Sequence, residues 1–195
     1  MRIGILGGSF DPFHNGHLKL ALAAKKQFKL HTVYFLLSPQ SPFKSKGSLS
    51  SPRIREKLLV SALTNKPHFK IARWELKRKG PSYTVKTLSE YKKKHPTHDI
   101  FFIMGSDGYK NFYKWKNPQK ILSLCHIIVG KRPNKSSLKN VVNRNNNHGK
   151  VLFLKGTFPL ISSTEIRGRI KNRESIHSFV PKKVEQMINK TGIYL

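Results

Sequence analysis

Short apolar runs alternate with amphipathic segments along most of this 195-residue chain, and few folds accommodate that alternation. The apolar runs are bounded by turn-forming residues, as is typical of strands buried on both faces. We predict strands over residues 2–6, 32–37, 68–73, 99–104, 125–130 and 150–154. Strands that alternate with helices favour an α/β fold with a doubly wound, mainly parallel sheet of Rossmann-like nucleotide-binding topology.

The segments between the apolar runs have helical periodicity. Residues 18–28 are rich in alanine and leucine, and apolar residues recur at helical spacing over residues 54–63. Ser51 followed by Pro52 predicts the start of the second helix, because serine caps helix N-termini and proline suits the first helical position. In such folds the ligand crevice lies beyond the carboxyl ends of the strands.

The domain organisation follows from length and composition. A chain with 37% hydrophobic residues can form one good core, so we predict a single domain over residues 1–195. The asparagine-rich stretch at residues 131–149 has little to bury, and we interpret it as a flexible surface loop. A further strand and a C-terminal helical part around residues 162–195 follow it, so it is not a domain boundary.

The charge balance is strongly basic. Thirty-eight basic and nine acidic side chains give a formal net charge of +29, which favours anionic partners such as nucleotides, nucleic acid or acidic membrane surfaces without choosing among them. A solvated lysine-rich surface accounts for most of this charge. The single cysteine, Cys125, excludes an internal disulfide. With no spanning run and no signal segment, we expect a cytoplasmic protein without membrane contacts.

Residues 7–17, Gly-Gly-Ser-Phe-Asp-Pro-Phe-His-Asn-Gly-His, join the first predicted strand to the first helix. Gly7 and Gly8 allow the backbone to approach a ligand closely. His14 and His17 lie around the helix start, where unpaired N–H groups favour phosphate binding. Neither a GxGxxG fingerprint nor a P-loop is present. Ordinary turn and cap roles, and metal ligation by Asp11, His14 and His17, remain alternatives.

A second element lies near the other end of the chain. Ser162 followed by Glu165 has the form of a capping box, which places Ser163 and Thr164 in the first helical turn and Arg167 one turn further on. Helix capping alone would explain this pattern. Hydroxyls and a cation at a helix start also suit phosphate oxygens.

Both elements resemble those of a known superfamily. Residues 7–17 resemble the GGSFDPxHxGH signature of the nucleotidyltransferases that share HxGH with class I aminoacyl-tRNA synthetases, and residues 161–167 are similar to the ISSTxIR element of the same family. The resemblance implies catalytic roles for His14, His17 and Arg167 at the ATP phosphates. The ATP-binding residues that it implies are Gly7, Gly8, Ser9, Phe10, Gly16, Gly105, Asp107, Ser162, Ser163 and Thr164.

Three intermediate segments resemble one branch, the bacterial-type nicotinate mononucleotide adenylyltransferases. They are residues 41–44, Ser-Pro-Phe-Lys, in the place of a PPHK loop; residues 80–85, Gly-Pro-Ser-Tyr-Thr-Val; and residues 105–107, Gly-Ser-Asp, followed by Trp115. The resemblance implies that Lys44 is catalytic at the triphosphate and that Asp107 accepts hydrogen bonds from the adenosine ribose. It also implies that Tyr83 and Trp115 flank the nicotinate ring and that Thr84 helps to place it. Phe43 and Lys86 depart from the usual pattern.

The implied activity is transfer of the adenylyl group of ATP to nicotinate mononucleotide, with release of pyrophosphate. Mg²⁺ is expected to bind through the phosphates, without protein metal ligands. A sister nucleotidyltransferase acting on nicotinamide mononucleotide, phosphopantetheine or a CTP-linked substrate is one alternative. A basic RNA-binding protein is another, although no RNA module is visible and no specific nucleic acid is expected. The sequence does not fix the oligomeric state.

Overall fold

A computed structural model describes residues 1–40, 49–78, 80–131 and 151–195. Within these ranges, six strands form one sheet in which every neighbouring pair is parallel. The strands are β1 (Arg2–Gly8), β2 (Thr32–Leu37), β3 (Phe69–Ala72), β4 (Asp99–Gly105), β5 (His126–Gly130) and β6 (Val151–Phe153). The order across the sheet is β3-β2-β1-β4-β5-β6, which confirms the predicted doubly wound α/β fold.

Helices connect and cover these strands. In the described residues they are α1 (Asn15–Gln27), α2 (Pro52–Leu63), α3 (Thr84–Lys94), α4 (Ser106–Lys110), α5 (Pro118–Leu124), α6 (Ser163–Lys171) and α7 (Lys182–Thr191), with a 3₁₀ turn at Phe112–Lys114. The Ser51 hydroxyl accepts from the Ile54 N–H at 3.4 Å, as the predicted cap requires. Helix α1 begins at Asn15, before the predicted residue 18, because His14 caps it.

The two faces of the sheet are buried in separate cores. In β4, Phe101 and Ile103 pack in the core that includes residues of α1, α2, α6 and α7, whereas Phe102 and Met104 pack in the core with residues of α3, α4 and α5. Side chains of a strand alternate between faces, so both sets must be apolar. This explains why the strands appear in the sequence as continuous apolar runs.

The topology fixes where a ligand can bind. The chain runs from β1 outward through β2 to β3, and then returns to β4 on the other side of β1. Leu6 of β1 lies opposite Phe35 of β2 and Ile103 of β4. The crevice of such a sheet opens where the connections diverge, beyond the carboxyl ends of β1 and β4. Gly8 and Gly105 end these two strands.

Two sequence predictions remain, one on a flexible loop and one on membrane contact. The predicted flexible loop at 131–149 lies, except for Lys131, outside the described residues. In the described ranges, every helix is too short or too polar to traverse a bilayer.

Candidate active site

The turn after β1 packs against a buried aromatic side chain. Phe10 has a backbone φ of 49°, and its ring is buried against Phe13 and Phe35. A Cβ on Gly8 would lie 2.8 Å from that ring, so only glycine fits there. Because the Phe10 ring faces the core, its predicted contact with a nucleotide can involve only its backbone.

His14 and His17 cap the start of α1 reciprocally. The His17 N–H donates to His14 Nδ1 and the His14 N–H donates to His17 Nδ1, each at 3.3 Å. The two rings stack with their centroids 3.6 Å apart. A Cβ on Gly16 would lie 3.0 Å from His14 Nδ1, so glycine leaves room for this arrangement. Since each Nδ1 accepts, each ring carries its proton on Nε2 and can donate there to a ligand.

The two predicted phosphate elements lie in contact although they are distant in the sequence. Ser162 caps α6 by accepting from the Glu165 N–H at 3.1 Å. The Ser163 hydroxyl donates to the Pro12 carbonyl at 3.0 Å, and the Arg167 guanidinium donates to the Asp11 carbonyl at 2.7 Å. We call residues 9–17 and 162–167 together the phosphate region.

Asp11 is fully buried at the centre of the phosphate region. Its Oδ1 accepts from the Tyr194 hydroxyl at 2.8 Å, and its Oδ2 accepts from the Ser50 N–H at 3.2 Å. The Arg167 guanidinium lies 3.9 Å from the same Oδ2. These contacts account for Asp11 without a metal. In the part of the chain that the structure describes, no cluster of three or more His, Cys, Asp or Glu side chains could hold a metal ion.

Arg55 is a buried residue that the sequence analysis missed. Its guanidinium donates to the carbonyls of four residues at 2.7–2.9 Å, namely Ser9, Ser38, Pro39 and Ser50. Burial lowers the pKa of Arg55, and the nearby Asp11 carboxylate opposes that shift. The sequence did carry a signal, since Arg55 precedes Leu58, Leu59 and Ala62 at helical spacing and so lies on the apolar face of α2.

A cavity of about 550 Å³ adjoins the phosphate region. Trp115 packs edge-on against Phe102, with 5.9 Å between ring centroids, and Lys116 Nζ lies 4.5 Å from the centroid of the Tyr83 ring. The cavity therefore has aromatic walls with a cation on one of them. Among the described residues, those that line it are Gly7, Gly8, Ser9, Leu36, Ser38, Glu75, Ser82, Tyr83, Thr84, Phe102, Lys114, Trp115, Lys116 and Ile121.

The charges that line the cavity are unequal. Glu75 is buried, accepts from the Thr87 hydroxyl and lies 4.0 Å from the Arg78 guanidinium. Its negative charge is thus compensated locally. Lys114 and Lys116, which the sequence analysis did not select, are exposed on either side of Trp115. The cavity therefore favours an anionic or aromatic ligand.

The other predicted site residues lie at the end of β4, in the phosphate region, at the cavity or outside the described residues. Gly105 ends β4 and Asp107 lies in the first turn of α4, at the carboxyl edge of the sheet beside β1. Gly105 and Asp107 do not line the cavity. The same is true of His14, His17 and Arg167. Phe43 and Lys44 lie outside the described residues. The structure thus brings Tyr83, Thr84 and Trp115 together at the cavity, and His14, His17 and Arg167 together in the phosphate region.

The chain is similar in sequence to known enzymes over its full length. The cytidylyltransferase-like family model matches residues 5–169. A Clostridium novyi protein named probable nicotinate-nucleotide adenylyltransferase is 39% identical over 196 residues, which cover 98% of each chain. A Dictyoglomus thermophilum protein of the same name is 39% identical over 198 residues, which cover 100% of each chain.

Solved structures share the fold. The nicotinic acid mononucleotide adenylyltransferase of Plasmodium falciparum, complexed with NaAD, superimposes with a TM-score of 0.80. The alignment covers 99% of this chain and 97% of that one at 20% identity. At this identity the likeness supports the architecture alone.

Proposed function

The chain belongs to the nicotinate-nucleotide adenylyltransferase family, and we propose that it transfers the adenylyl group of ATP to nicotinate mononucleotide in NAD biosynthesis. The products are nicotinate adenine dinucleotide and pyrophosphate. We propose that it acts in the cytoplasm.

One observation carries the proposal. Gly7, Gly8 and Ser9 line the aromatic cavity, and they lead directly into the turn that α6 contacts through Ser163 and Arg167. A ligand in the cavity would therefore have one end beside the phosphate region. Joining a mononucleotide to a nucleoside triphosphate requires this adjacency, because the phosphate of one must reach the α-phosphorus of the other.

The chemistry requires alignment and charge neutralisation. A phosphate oxygen of the mononucleotide forms a bond to the α-phosphorus of ATP, the bond from that phosphorus to the bridging oxygen breaks, and pyrophosphate leaves with the electron pair. The nucleophile is already an anion, so no general base is needed. His14 and His17 would donate from Nε2, and Arg167 from its guanidinium, to oxygens that gain charge in the transition state.

The N-termini of two helices add to this set of donors. In the first turn of α1 the Asn15 N–H donates to the Phe179 carbonyl and the His17 N–H donates to His14, so the group that suits a phosphate oxygen there is the Gly16 N–H. In α6 the N–H groups of Ser163 and Thr164 suit phosphate oxygens. We place the adenosine ribose near Asp107, since a carboxylate suits a diol and Gly105 leaves the approach open. Lys44 remains a proposed partner of the triphosphate.

We propose Mg²⁺ as the cation that accompanies ATP. The polar side chains of the phosphate region are mainly hydroxyls and imidazoles, with Arg167 as a cation, and its one buried carboxylate, Asp11, is already paired. This set fits a cation held by the phosphates rather than by a protein ligand cage. When bound, Mg²⁺ would neutralise part of the phosphate charge.

The cavity would hold the nicotinate ring. Tyr83 and Trp115 offer aromatic faces to a flat, positively charged pyridinium ring, and Thr84 lies beside them at the start of α3. Lys114 and Lys116 would favour the carboxylate of the acid over the neutral amide.

Pyrophosphate release tests the proposal directly. The purified chain is incubated with ATP and Mg²⁺, and with nicotinate mononucleotide, nicotinamide mononucleotide or phosphopantetheine in separate reactions. We expect the highest kcat/KM with nicotinate mononucleotide. A higher value with another acceptor would support the corresponding sister activity. Absence of turnover with all three would overturn the proposal, and RNA retention that weakens steeply with salt would then favour the RNA-binding alternative.

A further inference from the structure

We propose that Asp11 and Tyr194 are positioning residues that hold Arg167 in the orientation needed for adenylyl transfer. This inference rests on the proposed function, because it concerns how the phosphate region is kept in place. Neither residue is expected to touch the reacting atoms. Tyr194 would act through Asp11, and Asp11 through Arg167.

The first support is the burial of the Asp11 carboxylate. A buried carboxylate is costly unless it is paired and hydrogen-bonded. Asp11 satisfies both requirements, with a hydroxyl on Oδ1 and a backbone N–H on Oδ2, and with the Arg167 guanidinium nearby. The Arg55 guanidinium contributes a second positive charge to its surroundings.

The second support is the separation of these partners from Asp11 in the sequence. Tyr194 is 183 positions from Asp11 in the sequence, Arg167 is 156 positions away and Ser50 is 39 positions away. Asp11 therefore joins three separate segments to the turn after β1, through hydrogen bonds of its carboxylate with Tyr194 and Ser50 and of its main-chain carbonyl with Arg167. These include the helix that carries Arg167 and the residue that leads into α2.

The third support is the conformation of Tyr194. Its backbone φ of 78° is rare for a bulky residue and costs free energy that other interactions must offset. The chain turns at Gly192, which caps α7 with a φ of 63°, and this turn directs the Tyr194 side chain back to Asp11. Burial raises the pKa of the Tyr194 phenol, so the hydroxyl stays protonated and donates.

The contacts of Arg167 show how this arrangement reaches the reaction. Its guanidinium donates to the Asp11 carbonyl at 2.7 Å and to the Thr164 hydroxyl at 3.4 Å. Arginine has five N–H donors. Its side chain keeps 23% of its surface exposed. One side of the guanidinium is thus fixed by the turn, while the exposed part can bind a phosphate.

The experiment compares two tyrosine variants. Tyr194→Phe removes only the hydroxyl that bonds to Asp11. Tyr91→Phe is the matched control, because the Tyr91 hydroxyl is also partly buried and pairs with His98 Nδ1 at 3.0 Å. His98 directly precedes β4, so this pair lies at the amino edge of the sheet, far from the proposed chemistry. Both variants are assayed well below their unfolding temperatures.

We expect Tyr194→Phe to lower kcat about tenfold, with KM for nicotinate mononucleotide changed less than twofold, because a hydrogen bond to a charged group is lost. Tyr91→Phe should keep the wild-type kcat even if it lowers the unfolding temperature as much. Equal kcat values for the two variants would overturn the inference.

A double-mutant cycle separates positioning from general stability. If Tyr194 acts through Arg167, the effect of Tyr194→Phe on kcat should fall below twofold in an Arg167→Ala background. A tenfold effect in both backgrounds would contradict the inference.

If the wild-type chain turns over no mononucleotide, the proposed function fails by itself. The dissociation constant for ATP with Mg²⁺, measured by calorimetry, then tests the inference: weaker binding by Tyr194→Phe than by Tyr91→Phe supports it, and equal binding overturns it.

Discussion

The phosphate region and the aromatic cavity adjoin each other but are built in different ways. In the phosphate region, buried polar groups such as Asp11 and His14 are held by hydrogen bonds to backbone or to distant side chains. In the cavity, the half-buried Tyr83 and the exposed Lys116 contact each other through the Tyr83 ring rather than through a buried hydrogen bond.

This difference separates the two tasks of the enzyme. Transition-state donors must be held within a narrow geometry, and a buried network provides that rigidity. Selection of a ring substituent needs only charge and shape near the opening, which exposed side chains provide at little cost to folding. Changes in the phosphate region should therefore alter stability or kcat, whereas changes in the cavity should alter KM and substrate preference.

The largest expected effect is on stability, at Arg55. Arg55→Met keeps much of the side-chain volume, but it leaves four carbonyls without their donor and removes a countercharge of Asp11. We expect a loss of about 3 kcal/mol or more in the free energy of unfolding, measured by urea denaturation. Arg53→Met, on the exposed face of the same helix, is the control and should change stability by less than about 0.5 kcal/mol. Similar losses in both variants would remove the distinction.

The next effect tests the two nitrogens of His17 separately. Asparagine can accept in place of Nδ1 but has no group at the Nε2 position, whereas glutamine can donate near Nε2 but cannot accept at Nδ1. We expect His17→Asn to lower kcat about a hundredfold, as loss of a transition-state donor typically does. His17→Gln should retain more activity and lose more thermal stability. The reverse ranking of kcat would show that capping, not donation, is the main role of His17.

A smaller effect is expected at the cavity wall. Trp115→Ala should raise KM for nicotinate mononucleotide about tenfold and leave KM for ATP unchanged, because the binding site of only one substrate loses an aromatic face. The other tryptophan, Trp74, packs against Tyr34 and Tyr91 and does not line the cavity. In steady-state assays Trp74→Ala should leave the KM ratio unchanged. A parallel rise in both KM values for Trp115→Ala would count against the assignment.

The smallest effect concerns the choice between acid and amide. Lys116→Gln should lower the ratio of kcat/KM for nicotinate mononucleotide to that for nicotinamide mononucleotide about fivefold, since one partly solvated charge is worth about 1 kcal/mol. Lys120→Gln, an exposed lysine that does not line the cavity, should leave this ratio as it is. If both variants lower the ratio equally, net charge rather than the position of Lys116 governs the preference.

Local patterns were sufficient to predict most of the fold. The predicted strand at residues 32–37 matches β2, and Ser51 caps α2 as expected, because burial and capping depend on neighbours in the sequence. The contact between residues 7–17 and 161–167 was expected only through the family resemblance. The bond from Tyr194 to Asp11 and the four bonds of Arg55 were not predicted. They join segments that are brought together only by the completed sheet, and no periodicity encodes such distant pairs.

The burial of Cys125 has a practical consequence. It is the single cysteine of the sequence, only 5% of its surface is exposed, and its thiol donates to the Ile121 carbonyl. A maleimide dye would therefore react with a newly introduced surface cysteine in preference to the native thiol. At the exposed Lys94, which ends α3 near the amino end of β4 and away from the crevice, such a label would report tumbling without obstructing either substrate.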